Sequence, residues 1–178
     1  MLDKETIEQI FCTKIEFVED KSRVTSYATY GDPVLDIRYD RIILRDSYKY
    51  YTICIGEKSY VNIQMPQVGI ITEISLILYT FERNLSDVIF EFNNYLEGVP
   101  YFTFKGINDL ESSFITLTGT STTFYKYKNA LVINFYNSNL NNLYWIKTDN
   151  IYFGLEMNKL KAIAYDVPNN EEKILANL

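Results

Sequence analysis

Carboxylates and tyrosines are the residues of this chain whose types and spacing could do chemistry. Asp36 and Asp40 project from an alternating stretch and Glu91 from another. Two carboxyl groups at a fixed separation on one sheet face are the minimum that glycoside hydrolysis needs. Alternation by itself also puts acids on the solvated face of a strand, and that is the ordinary role of such residues. Histidine is absent. Its absence removes the commonest general base, the Ser-His and Cys-His nucleophile pairs, and the imidazole ligands of most transition-metal sites.

No glycine-rich phosphate loop, nucleophile elbow or C-x-x-C spacing occurs, so no cofactor is expected. Cys12 and Cys54 lie far apart and read as buried thiols. Cys54 falls within an apolar strand, where burial raises the pKa of a thiol and blunts it as a nucleophile. No catalytic, cofactor-binding or metal-ligating residue is assigned, and the chain reads as a binding protein rather than an enzyme.

Tyrosine is the residue type in excess, with 16 Tyr and 11 Phe. Its large apolar body, polar tip and low entropy cost make it a frequent anchor at protein interfaces and a stacking platform for sugars. Tyr48, Tyr50 and Tyr51, and Phe124, Tyr125 and Tyr127 with Lys126 and Lys128, place rings on both faces of their strands. The expected partner-binding set is Asp32, Asp36, Tyr39, Asp40, Asp46, Tyr48 and Tyr50, an acidic surface with aromatic anchors.

The elements that must position these residues are strands. Leu35, Ile37 and Tyr39 alternate with Asp36, Arg38 and Asp40, after which the apolar set slips by one to Ile42 and Leu44; a bulge near Asp40 and Arg41 accounts for the slip. Tyr51 to Ile55 and Val61 to Met65 flank a turn at Gly56 to Ser59, forming a hairpin that ends at Pro66. Ile70 to Tyr79 reads as a central strand, with Ile74, Leu76 and Leu78 in the core. Val88 to Phe92, Val99 to Phe104 and Phe114 to Leu117 form a meander, with Asn93 to Gly98 as a loop. Two hairpins follow, turning at Lys128 and Asn129 and at Thr148 to Asn150, and Lys159 to Val167 is the last strand.

Ile7, Ile10 and Phe11 fall at helical spacing behind Asp3, and Asn169 with Glu172 forms a capping box after Pro168, so short helices are expected at both ends. The expected fold is mainly β: an antiparallel sandwich or barrel-like sheet of about ten or more strands in one domain over residues 1–178. A break, if present, falls at Asn108 to Ser113.

The formal charge of -6 disfavours a phosphate backbone as partner and favours a basic protein. The opening residues lack the pattern of a signal peptide and no run is long enough for a membrane helix, so no membrane association and a cytoplasmic location are expected. Abundant Asn, Ile, Tyr and Lys, with arginine confined to Arg23, Arg38, Arg41, Arg45 and Arg83, suggests an AT-rich bacterial coding genome. The combined reading is an intracellular inhibitor or immunity-type protein that occludes a basic toxin or enzyme. A carbohydrate- or small-ligand-binding sandwich using Trp145 and exposed tyrosines, or a structural subunit of a larger assembly, also fits these residues.

Overall fold

The computed structural model describes residues 10–20, 24–31, 34–41, 50–55, 60–66, 68–77, 92, 94–104, 114–117, 122–127, 129–171, 173 and 174. The chain is mainly β, and its strands form two sheets.

The six-stranded sheet runs in the order β10 (Phe114–Leu117), β4 (Tyr50–Ile55), β5 (Tyr60–Pro66), β7 (Glu73–Ile77), β3 (Val34–Arg41) and β2 (Thr25–Gly31). Period-two alternation in four successive strands sets its register. Ile53, Ile63, Ile74 and Ile37 pair one to the next and end at Ala28, giving a buried row across the sheet. The neighbouring row is Ile55, Val61, Leu76, Leu35 and Tyr30. Between these rows, on the opposite face, lie Cys54, Asn62, Ser75, Asp36 and Thr29, then Thr52, Gln64, Glu73, Arg38 and Tyr27. A slip of one residue in any of these strands would put isoleucines where the polar rows are, which fixes the pairing.

The nine-stranded sheet runs β6 (Val68–Gly69), β9 (Val99–Phe104), β1 (Ile10–Glu16), β15 (Lys159–Asp166), β14 (Ile151–Glu156), β13 (Tyr144–Thr148) and β8 (Tyr95–Glu97). Beside β15, along Ala162 to Asp166, lies β12 (Ala130–Phe135), which in turn pairs with β11 (Thr122–Tyr127). Neither sheet closes into a barrel. One core cluster draws on both: Phe102, Ile133, Phe135, Phe153 and Tyr165 pack with the isoleucine rows. A second cluster covers the far face of the larger sheet with Val132, Leu140, Leu143, Trp145, Tyr152 and two alanines of β15.

The three expected hairpins are present as β4–β5, β11–β12 and β13–β14. The bulge is present too: Ser26 pairs with Tyr39 and Thr25 with Arg41, so Asp40 is the extra residue. Ile74 and Leu76 are core, while Leu78 and most of Val88 to Phe92 lie outside the described residues.

Several expectations need correction. Ile10, Phe11 and Cys12 belong to β1, paired with Phe104, Thr103 and Phe102, because a strand slot in the larger sheet outweighs a short helical period. The start of the expected N-terminal helix lies outside the described residues. After Pro168 the chain makes a 3-10 turn over Asn169–Glu171, and the stretch to Leu178 lies almost wholly outside them. The expected loop Asn93 to Gly98 contains β8, too short to show alternation, which pairs in parallel with β13. The expected meander is no meander: β10 joins the other sheet, in parallel with β4. The strand β2 is not among the expected strands, since Thr, Ser, Tyr and Ala give it no apolar period. Cys12 is half-buried rather than buried.

Two carboxylates lace the edge of the smaller sheet to the larger one. Asp149 Oδ2 accepts from the backbone N–H of Ser26 at 2.7 Å and from its hydroxyl at 2.6 Å. Glu171 Oε2 accepts from the N–H of Ala28 at 3.1 Å and from the Tyr165 hydroxyl at 2.7 Å. These oxygens take the outward N–H groups of β2 that a further strand would otherwise pair.

Candidate binding groove

A groove of about 300 Å³ opens where these carboxylate contacts begin. Phe17 and Val18 reach it from the end of β1, Val24 from the approach to β2, Glu97 and Gly98 from β8 and its exit, Val99 from β9, and Lys147 to Asn150 from the turn of the β13–β14 hairpin. Val24, Val99 and Ile70 form a small cluster against which Val18, Tyr39 and Tyr101 pack, so the floor is apolar.

Local chemistry shapes each wall. The β1–β9 pairing carries an irregularity between Cys12 and Lys14. Beyond it Phe17 stands 68% exposed at the groove. At Gly98 a Cβ would stand 2.5 Å from Ile15 Cγ2 and 3.1 Å from the Glu16 carbonyl oxygen, so only glycine allows β1 this close. The Gly98 N–H donates to the Lys147 carbonyl at 3.0 Å, and its carbonyl accepts from the Thr148 hydroxyl. Asp149 takes a left-handed backbone, φ 53°, which aspartate tolerates better than most residues. Its Oδ2, bonded twice to Ser26, also accepts from the Asn150 side chain at 3.2 Å.

Lys147 is turned towards an aromatic cluster. Its ammonium lies 5.2 Å from the ring centroids of both Tyr95 and Tyr152. Tyr152 in turn contacts Phe92 at 4.2 Å and Tyr95 at 5.7 Å, and Phe92 meets Trp145 edge-on at 5.3 Å. Burial disfavours the charge on Lys147, but its hydrogen bond to Tyr152 and the surrounding negative potential outweigh this and raise its pKa. The lysine is therefore charged at neutral pH and held by π-faces.

Of the expected partner-binding residues, Asp36 and Tyr39 have described side chains, and they lie on opposite faces of β3. Asp36 lies on the outward face of the smaller sheet and is bonded to Arg38 at 3.0 Å; Arg38 also reaches Glu73 at 3.1 Å. Tyr39 lies on the inward face of β3 with a fully buried hydroxyl. Burial raises its pKa; Thr148 of the groove wall lies near it, but the hydroxyl makes no hydrogen bond to a described residue. Asp40 is the bulge residue and Tyr50 opens β4, with β5 and β7 between β4 and β3. The side chains of Asp40 and Tyr50, and all of Asp32, Asp46 and Tyr48, lie outside the described residues, as does Glu91.

Phe17, Glu97, Lys147, Asp149 and Asn150 were not singled out by the sequence reading. Its usable signal was the turn at Thr148 to Asn150, which it placed correctly but gave no role.

Asp149 Oδ2 accepts from three donors, Asp36 is bonded to Arg38, and burial pushes both thiols up, away from the reactive thiolate. Among the described residues no group of three or more Cys, Asp and Glu is placed to hold a metal ion, and no helix is long and apolar enough to cross a membrane. No protein-family model matches the chain, and no curated protein matches its sequence.

Proposed function

We propose that the chain is a non-enzymatic protein-binding module, a single two-layer sandwich acting as an intracellular inhibitor or immunity-type protein that occludes a basic toxin or enzyme. The observation that supports this most is an exposed aromatic ring at one groove. Phe17, 68% exposed, lines the groove, and Tyr95, 41% exposed, stands beneath the ammonium of Lys147 in its wall. An apolar floor with a rim of Glu97, Lys147, Asp149 and Asn150 has the anatomy of an interface centre, an apolar anchor within polar surroundings. Occlusion needs no catalytic group. Negative net charge speeds encounter with a basic partner, and the anchors then slow release.

The test is protection. Cells expressing the basic effector encoded beside this chain are expected to survive when the chain is co-expressed, and to lose that protection with Phe17→Ala. Death in both cases, with the chain soluble and folded, removes the inhibitor reading.

Ligand recognition is a second reading, favoured by the polar rows of the smaller sheet, where Asn62, Gln64, Asp36 and Tyr27 supply the donors and acceptors a sugar would use. Ser75 and Cys54 are buried within those rows, which narrows the accessible area. A glycan array showing no hit disposes of it.

A further inference from the structure

We infer that the groove is shaped for one arginine side chain of the protein partner, an inference that rests on the protein-binding reading above. A space of about 300 Å³ accommodates a single long side chain rather than a folded element. Its floor of Val18, Val24 and Val99 suits an aliphatic stem, and its rim carries the carboxylates of Glu97 and Asp149. Three hydrogen bonds from Ser26 and Asn150 to Asp149 Oδ2 fix that carboxylate before any partner arrives, so little ordering cost falls on binding.

Three features select a guanidinium over an ammonium. Phe17 offers an exposed ring on which a planar cation stacks. Two carboxylates, one from β8 and one from the β13–β14 turn, match a fork of five donors better than a point charge. The like charge of Lys147 is drawn over Tyr95 and Tyr152, leaving the Phe17 and Asp149 side of the groove for the incoming cation. Guanidinium is also the more weakly hydrated head, and so the easier to strip of water in a half-apolar groove.

The experiment is an amide-resolved NMR titration of the intact chain with N-acetyl-arginine amide, alongside the lysine and norleucine analogues. The arginine probe is expected to saturate on the order of millimolar, as suits so small a ligand, with shifts confined to Val18, Val24, Gly98 and Asn150. The lysine probe should bind several-fold more weakly and the norleucine probe should not saturate. Glu97→Gln and Phe17→Ala should each weaken the arginine probe by about tenfold. Equal shifts from norleucine, or no saturating shift at these amides, overturn the inference. If the chain then still captures its protein partner, the binding reading stands and only the arginine assignment falls; if it captures nothing, both fall.

Discussion

Single carboxylates carry much of the connection between the two sheets. Glu171 holds the Tyr165 hydroxyl and the Ala28 N–H at one oxygen, and Asp149 does the same for Ser26. Tyr165→Phe removes one donor and leaves Glu171 bonded to Ala28, so a loss of about 1–2 kcal/mol is expected in urea unfolding. Alkaline pH probes the same contacts. Burial raises the pKa of Tyr165, helped by its bond to Glu171, and burial likewise raises that of Tyr39. The folded state therefore holds these protons after the unfolded chain has released them near its ordinary value of about 10, and stability is full below that pH and falls above it. The limiting slope is about 1.4 kcal/mol per pH unit for each tyrosine. Lys147, also raised, loses its contribution in the same direction as pH climbs through its folded value. Urea midpoints measured from pH 9 to 11 should fall, and less steeply for Tyr165→Phe. At this scale the sequence revealed residue types but not their surroundings. Asp36 and Tyr39 were grouped into one binding surface by residue type, although their alternation in the strand sets them on opposite faces, as the pleat does.

At the scale of elements, the legible parts were those with clear alternation or an apolar run bounded by turns. The strands β3, β4 and β5 were visible in apolar period two and β9, β12, β14 and β15 as apolar runs, as was the bulge at Asp40 in the slip between Tyr39 and Ile42. The strands β2 and β8 were missed for opposite reasons, one lacking apolar residues and the other lacking length. Strand β2 is set by its local pairing with β3, with the carboxylates of Asp149 and Glu171 on its other edge, and β8 by the distant β13. Hairpin turns were readable as punctuation, but the parallel pairs β10–β4 and β13–β8 leave no local trace. Close packing between β14 and β13 gives a direct test. A Cβ on Gly154 would stand 2.8 Å from Leu143 Cδ1 and 2.9 Å from Trp145 Cη2. Gly154→Ala should therefore cost about 1–3 kcal/mol by overpacking. Trp145, the chain's one tryptophan, reports the shift through its emission.

At the scale of the whole molecule, the mainly β class followed from composition and strand spacing, whereas the groove did not, because it is built from the ends of β1, β8 and β13 and the approach to β2. Net charge is the property that acts over the full surface. Salt screens exposed charges beyond about 8–10 Å at physiological strength, so association with a basic partner should slow markedly between low and high salt while dissociation changes little. Asp36→Asn is expected to trim the low-salt association rate only modestly and to leave folding intact, since Arg38 retains Glu73 and exposed pairs contribute about 0–1 kcal/mol.

The most direct measurement is the affinity of purified wild-type chain and Phe17→Ala for the protein encoded by the neighbouring gene, measured by calorimetry on both. A tight one-to-one complex that weakens by about tenfold or more with Phe17→Ala, the loss of one desolvated aromatic anchor, is the predicted result. No complex, or one indifferent to Phe17, would contradict the account of this groove as the binding surface.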